Sequence, residues 1–515
     1  MKPESYKIKN AIISVSDKTG IVEFAQKLNQ LKITIYSTGG TLKTLLDNSI
    51  PAKSISELTN FPEILDGRVK TLHPNIHSGI LAQLDNDTHL KTLDQLNLES
   101  IDMVIVNLYP FEKALENQLP HHEIIENIDI GGPTMLRSAA KNYLWTVPVV
   151  NPNSYTEIIS SLENNENTIS VQLRQKLAGE VFNHTAYYDS IISSYFNKIN
   201  KEFPQATAIA LKEIQNLRYG ENPHQTAKLY GNQFNNIFKQ INGKELSYNN
   251  IVDIDSVSRL IIEFNEPTVA IIKHTNPCGV GTANNLKDAY LNAFSTDTIS
   301  PYGGIIALNR KLDLETVEEI NKIFTEVIIA PEIDEKALEL LKKKKDRRLI
   351  LANYELLRNS LNKEVKSVAG GYLLQDSDTK MISLKDLKVV TNRIPTEEEY
   401  QKMLFAWKVV KHVKSNAIVY SSNDRTLGIG CGQMSRVDSA IIAANKAKEM
   451  GLSLNGCAIA SDAFFPFPDA LLYAVNLGAT CAIQPGGSIH DEEVIKAANE
   501  NNIAMVFTGF RHFKH

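Results

Sequence analysis

Two stretches of this sequence bring donors, glycines and ionisable groups close enough together to do chemistry. In the first, Ser14-Val15-Ser16-Asp17-Lys18-Thr19-Gly20 and Ser37-Thr38-Gly39-Gly40-Thr41 are small, hydroxyl-rich turns, each leading into a helical pattern. Backbone N–H groups and hydroxyls at a helix start, with the positive helix end behind them, make an anion site. Either turn alone is equally well a capped helix start; two on neighbouring strands favour the anion. Further along, Gly67-Arg68-Val69-Lys70-Thr71-Leu72-His73-Pro74 packs Arg, Lys and His into a polar loop without helical period. Asn107-Leu108-Tyr109-Pro110-Phe111 puts Asn and Tyr just past a strand, and Asp129-Ile130-Gly131-Gly132-Pro133 opens a helix carrying Arg137 and Lys141. Taken singly, these three read as a surface loop, a strand-end turn and a helix start.

The second stretch centres on Ala270-Ile271-Ile272-Lys273-His274-Thr275-Asn276-Pro277-Cys278-Gly279, an apolar strand ending in Lys-His before a turn. A lone strand-end histidine is more often structural than catalytic. Here it is accompanied by Arg218-Tyr219-Gly220-Glu221-Asn222-Pro223-His224, Ser415-Asn416, Gly428-Ile429-Gly430, Gly432-Gln433-Met434-Ser435-Arg436, Asp462 to Asp469, Gln484-Pro485-Gly486-Gly487-Ser488 and the final Arg511-His512. Polar, glycine-rich strings of this density are hard to ascribe to packing alone. A histidine with an ordinary pKa of about 6.5 carries protons near neutrality, and a neighbouring lysine can steady an oxyanion.

The elements that must position these groups alternate. Strands are expected at Ala11–Ser16, Ile33–Tyr36, Met103–Asn107 and Thr146–Val150, with helices at Ile21–Leu28 and Leu42–Leu46. Short apolar strands between amphipathic helices imply a doubly wound parallel sheet, whose ligands sit at the carboxyl ends of the strands. A helical stretch from Val171 to Ile199 ends in the polar, proline-bearing Asn200–Pro204, so the main boundary falls near residue 200. Beyond it the pattern is again α/β, with strands at Thr268–Ile272, Ile305–Leu308, Val327–Ile329, Ala417–Tyr420, Cys457–Ala460 and Cys481–Gln484. A charged stretch at Asp376–Asp386 divides this part into two lobes near residue 380. Each lobe has a Lys-His pair, Lys273-His274 and Lys411-His412, too weak a likeness to define a repeat. The basic run Lys342–Lys345 with Arg347 and Arg348 reads as a solvated helix end.

With 515 residues the chain exceeds one core. Hydrophobic residues make up 43% and charged residues 22%, as in an ordinary soluble protein. Its 54 basic and 59 acidic side chains give a net charge of -5, which argues against a nucleic-acid partner. No run of about eighteen apolar residues spans a bilayer, and the start lacks a secretory apolar core, so no membrane partner is expected and the location is cytoplasmic. Cys278, Cys431, Cys457 and Cys481 are scattered, which fits reduced thiols and no metal site.

The strings SVSDKTG, STGGT, GRVKTLHP, NLYPF and DIGGPTMLRSAAKN, in that order, resemble the inosine monophosphate (IMP) cyclohydrolase domain, which is similar in fold to methylglyoxal synthase. From RYGENPHQ to RHFKH the chain resembles the aminoimidazole carboxamide ribonucleotide (AICAR) formyltransferase domain. Together they resemble the bifunctional purine biosynthesis family over nearly the whole chain. The resemblance implies a methylglyoxal-synthase-like α/β domain at 1–200, then two cytidine-deaminase-like α/β lobes at 201–515. It implies formyl transfer from 10-formyltetrahydrofolate to AICAR and closure of the product to IMP. Folate is then a co-substrate, nothing is tightly bound, and the assembly is a homodimer.

By the same resemblance, Ser14, Ser16, Lys18, Thr38, Gly39, Gly40 and Thr41 hold the nucleotide phosphate. Arg68, Thr71, Asn107, Gly131 and Gly132 surround the base, and Lys70, Lys141, Tyr109 and Asp129 carry ring closure. In the other domain Lys273, His274 and Asn416 are catalytic, while Arg218, Tyr219, Arg436 and Arg511 hold the nucleotide. Tyr302, Gly303, Glu326, Phe464, Pro466 and Asp469 lie near the folate or the base. Three positions depart from the family: Tyr302 where Phe is usual, His490 where Arg is common, and Cys431 in place of a small residue.

A zinc nucleoside deaminase needs H-x-E together with P-C-x-x-C, and that pair does not occur. A regulatory protein that only binds phosphate is separated from an enzyme by an absorbance assay with AICAR and formyl-folate.

Overall fold

The computed structural model describes residues 3–200 and 203–515 and divides into two compact units, Met1–Leu211 and Lys212–His515. In the first unit, β1 (Asn10–Val15), β2 (Thr34–Ser37), β3 (Lys53–Ser54), β4 (Met103–Asn107) and β5 (Val147–Val149) form a sheet in the order β3-β2-β1-β4-β5. Every pairing is parallel. Alternation along the strands feeds two cores, as the period of a strand requires. Ala11, Ile13, Ile35 and Ile105 face the helix Ile21–Gln30 and its neighbours, while Ile12, Tyr36, Val104 and Val106 face helices that include Gly131–Lys141 and Val171–Asn200. The expected doubly wound sheet is therefore present.

The second unit holds two six-stranded mixed sheets. The first runs Asn276–Thr282, Thr268–Lys273, Gly304–Leu308, Thr325–Ala330, Arg348–Ala352, Phe238–Asn242; the second runs Thr426–Gly430, Ile418–Ser421, Ala458–Ser461, Cys481–Gln484, Ala504–Phe507, Lys388–Val389. Pair by pair, the two have the same chain order and the same sequence of parallel and antiparallel neighbours. The unit thus contains an internal repeat, carried by strand order and not by the two Lys-His pairs. Lys273-His274 ends a strand, whereas Lys411-His412 follows the helix Glu397–Val410. The counterpart of that helix is Tyr248–Ile261, and Glu263 just beyond it receives both Lys411 Nζ (2.7 Å) and His412 Nε2 (3.2 Å). All three are buried, so the second pair is a structural ion network inside the core shared by the two sheets.

The glycine strings of the edge strands also belong to packing. A Cβ on Gly281 would lie 2.4 Å from Ala293 N, and on Gly430 1.9 Å from Ser439 O. Gly279-Val280-Gly281 and Gly428-Ile429-Gly430 are equivalent positions where a strand lies on a helix backbone. The ascription of Gly428-Ile429-Gly430 to the functional site is corrected accordingly. The basic run is corrected too: Arg347 is buried, giving Nε to Thr325 O (3.2 Å), and Arg348 Nη1 meets Glu326 at 3.0 Å.

Candidate functional sites

At the carboxyl ends of β1, β2 and β4 three loops are tied together. Ser14 Oγ lies 2.7 Å from Thr38 Oγ1, and the Thr41 hydroxyl is bound to both N (3.1 Å) and O (3.0 Å) of Val15. Asn107 Oδ1 accepts from the N–H groups of Ser16 (2.6 Å) and Asp17 (2.9 Å), and its Nδ2 donates to Asp17 O (2.8 Å). Thr41 and Asn107 therefore shape the Ser16–Lys18 loop, where the resemblance had them touching ligand. Lys18 Nζ reaches Val15 O at 3.2 Å, and Gly39 and Gly40 open the helix Gly39–Asp47.

Lys70 lies across this rim. Its Nζ is 3.3 Å from Glu63, and a Cβ on Gly39 would come within 3.5 Å of it. Arg68 turns outward into a two-point contact with Glu126, at 2.6 and 3.3 Å. Thr71 packs on Gly131, where a Cβ would sit 2.4 Å from Thr71 Oγ1, and a Cβ on Gly132 would sit 2.6 Å from Asp129 Oδ2. These glycines let the helix start close on Thr71 and Asp129. Asp129 accepts from Gly132 N at 2.8 Å, and its own N–H donates to Tyr188 Oη at 2.9 Å. Burial raises the Asp129 carboxyl above the ordinary range, with the N–H groups of Gly132 and Tyr109 and the charge of Lys70 opposing. Tyr109 is 46% exposed beside it. A carboxyl poised toward neutrality beside a cation and a phenol suits proton exchange with a substrate nitrogen.

One expected member is absent from this group. Lys141 is exposed and ends the helix that Gly131 begins, about 15 Å away along the axis at 1.5 Å per residue. The helix runs back from the carboxyl edge of the sheet, so its last turn stands at the opposite edge. Asn142 there binds Ile80 O and Ala82 O. Lys141 is removed from the single-chain site. Sequence reasoning missed Tyr188, whose hydroxyl also donates to Asn127 O (2.9 Å) and so braces the Asp129 loop. Its only signal in the sequence is one of three tyrosines in a 30-residue helix, next to Tyr187.

In the second unit Lys273 and Asn276 are paired across a two-residue hairpin whose central residues are His274 (φ +51°) and Thr275 (φ +63°). A tight hairpin demands positive φ at both positions and usually recruits Asn and Gly. Non-glycine residues cost about 1–2 kcal/mol each there. The turn is held from the helix Tyr248–Ile261: the Asp253 carboxylate accepts from the N–H of Thr275 (2.7 Å), and Ser256 Oγ donates to Thr275 O (3.0 Å). Lys273 Nζ reaches Tyr302 O at 2.9 Å, and the Tyr302 and Phe324 rings lie 5.4 Å apart next to Gly303. Glu326 accepts from Asn250 Nδ2 at 3.2 Å and approaches Asp253 closely enough to raise it further, after burial.

Asn416 reaches the turn through its neighbours, since Lys414 N donates to Asn276 Oδ1 at 3.1 Å. Asn416 Nδ2 is bound to Gln433 O at 2.9 Å. Asp462, wholly buried, accepts from Ser415 Oγ, from Ala417 N (3.2 Å) and from Arg436 Nη2 (3.0 Å). The loop bearing Phe464, Pro466 and Asp469 starts from that carboxylate. Phe513 lies between two guanidinium groups, 5.8 Å from Arg436 and 4.7 Å from Arg511. Arg218 and Tyr219, 5.7 Å apart, stand on the outlying hairpin formed by Lys212–Leu217 and Ala227–Gly231. Asn249 Nδ2 links that hairpin to the Asp253 helix through Glu221 O, at 3.4 Å. Of the departures, His490 packs on Phe467 (5.2 Å) and pairs with Glu493 (3.0 Å), while Cys431 is half-buried. No group of three or more Cys, His, Asp or Glu able to hold a metal occurs among the described residues, and no helix there is long and apolar enough to cross a membrane.

Residues 139–446 match the family model described as AICARFT/IMPCHase bienzyme, and residues 20–134 match an MGS-like domain. The chain is 51% identical to a bifunctional purine biosynthesis protein PurH of Chlorobium phaeobacteroides, over 99% of both chains. It is 52% identical to the PurH of Chlorobaculum parvum over 99% of both. For the Bacillus cereus PurH the identity is 49%, over 98% of this chain and all of the other.

Proposed function

The chain belongs to the AICARFT/IMPCHase bienzyme family, and on that footing we propose how its two sites divide the work of this purine-forming enzyme. It is a multifunctional enzyme that transfers a formyl group to AICAR and closes the product to IMP. Formyl transfer belongs to 201–515 and ring closure to 1–200. The observation that carries this division is that each set of polar strings converges inside one unit.

In formyl transfer the AICAR amine is a weak nucleophile, because its lone pair is delocalised into ring and carboxamide. His274, held out on its turn, takes the proton as the amine attacks the formyl carbon of 10-formyltetrahydrofolate. Lys273 stabilises the tetrahedral oxyanion and the departing folate nitrogen. The exposed Tyr302 and Phe324 rings offer a face for a flat heterocycle, and Arg436, Arg511 and Phe513 offer cations and a ring to the nucleotide.

In ring closure, nucleophile and electrophile already share one molecule. The protein need only fold the rotamer and neutralise charge, and effective molarities of about 10⁵ M or more are within reach. As the carboxamide nitrogen attacks the formyl carbon, Lys70 and Tyr109 face the oxygen that becomes negative and Asp129 takes the amide proton; the protonated oxygen then leaves as water. The helix starts at Gly39 and the Ser16–Lys18 loop receive the phosphate. The folate is a co-substrate rather than a resident group, the enzyme is cytoplasmic, and it works as a homodimer. An assay of AICAR with 10-formyltetrahydrofolate, and separately of pre-formed formyl-AICAR, tests the division on fragments 1–200 and full-length protein. Ring closure by the fragment at the full-length rate is expected; an inactive folded fragment would contradict it.

A further inference from the structure

His274 and Thr275 hold backbone angles that neither residue favours, so the turn that presents the imidazole is kept by its surroundings rather than by its own sequence. Those surroundings come from two directions. From the helix Tyr248–Ile261, Asp253 and Ser256 stand three residues apart and therefore on one face. Between them they bind the N–H and the carbonyl of Thr275. From the carboxyl end of the chain, Lys514 Nζ donates to Ser256 Oγ at 3.4 Å. The backbone of the same residue is paired with the other half of the site: Lys514 O accepts from Ser415 N at 2.9 Å, and Lys514 N donates to Ser415 Oγ at 3.3 Å. Ser415 immediately precedes Asn416. Lys514 is thus bonded at one end to the brace under His274 and at the other to the segment that carries Asn416.

We propose that Asp253, Ser256 and Lys514 are positioning residues for formyl transfer: they hold the His274–Thr275 turn open and lock it to the Ser415–Asn416 segment through the last residues of the chain. The inference rests on the reading of His274 as the proton carrier. None of the three needs to touch substrate. Asp253 Oδ1 is bound to the turn through the Thr275 N–H, and burial raises its carboxyl, aided by Glu326, while the N–H groups of the turn and the charge of His274 oppose. Lys514 is half-buried, and loss of solvent around its ammonium lowers it to about 8, with Asp255 and Glu364 pulling the other way and Arg259 and Lys414 adding to the fall. A lysine used only for solubility would stand in water.

The test is a set of full-length variants assayed for formyl transfer and, on the same samples, for ring closure of formyl-AICAR. Misplacing a reacting group by about 1 Å costs up to about a hundredfold, so Asp253→Ala is expected to lower kcat by about thirtyfold or more with the KM for AICAR within about threefold. Lys514→Met is expected to lower kcat by about fivefold or more, and Lys514→Arg to restore it to within about twofold, because the guanidinium also reaches Ser256. Groups that act through one another are not additive. In a His274→Ala background, Asp253→Ala and Lys514→Met should therefore change the residual rate by less than about twofold. Should Asp253→Ala fail to fold, Ser256→Ala and Lys514→Met in the same two backgrounds carry the test. Wild-type kcat in these variants, or an equal loss with and without His274, would overturn the positioning role. A fully active His274→Ala enzyme would instead remove the reading on which the inference rests, which keeps the two failures apart.

Discussion

Replacing Lys70 and Lys141 one at a time separates what sequence resemblance suggested from what the fold allows. Lys70 stands beside Gly39 and Asp129, with its ammonium 3.3 Å from Glu63 and largely shielded from water. A unit charge about 4 Å from a developing oxyanion is worth about 4 kcal/mol at an effective dielectric of about 20. Part of this is offset by Glu63, and removing one preorganised donor typically costs about 10²–10³ in rate. Lys141 stands about 15 Å along the helix from Gly131, and about 10 Å remains after its side chain has reached back. At that distance through water the interaction is about 0.4 kcal/mol before salt, which is about twofold in rate. With pre-formed formyl-AICAR and detection of IMP absorbance, Lys70→Ala should lose about a hundredfold or more in kcat and Lys141→Ala less than about threefold. A loss below tenfold at Lys70 would refute the electrostatic reasoning. A hundredfold loss at Lys141 would refute the claim that one chain completes this site.

Two further outcomes follow from packing and charge in the second unit. Gly430→Ala drives a Cβ to 1.9 Å from Ser439 O, so thermal unfolding should show about 3 kcal/mol or more of destabilisation in that unit while ring closure persists; an unchanged melt would mean the strand shifts freely on its helix. Burial pushes His412 down to about 4; burial alone would raise Glu263, but His412 and Lys411 outweigh it and hold that carboxylate below its usual range. Unfolded protein then takes up a proton below about 6.5 that the native His412 refuses, so stability is full above that pH and falls steadily toward about pH 4. Urea unfolding followed at Trp407, which lies in this unit, should show the decline, and His412→Gln should flatten its upper part; a flat profile in the parent protein would contradict the buried network.

Much of the first unit was legible because its signals are local. Apolar runs such as Met103–Asn107 mark buried parallel strands, and glycine–hydroxyl turns mark their carboxyl ends. What was not legible is set by direction and by distance along the chain. String likeness carries no sense of which end of a helix meets the sheet edge, and so Lys141 was placed with Asp129. Asn107 looked like a base contact, yet its amide is spent on Ser16 and Asp17, a partnership that spans ninety-one residues to Ser16. In the second unit the repeat lies in strand order, which no periodicity displays. The chemical emphasis on Lys273-His274 was readable from a strand end. Asp253, Ser256 and Lys514, which hold that turn, are single residues on unrelated elements and offered no string to recognise.

The central claim, two chemistries in two separate sites of one chain, is tested most directly by His274→Ala measured in both half-reactions on one folded preparation. The account predicts that transfer of the formyl group to AICAR is lost while conversion of added formyl-AICAR to IMP proceeds at the parent rate. Loss of both reactions, with the melting profile of the protein unchanged, would contradict it.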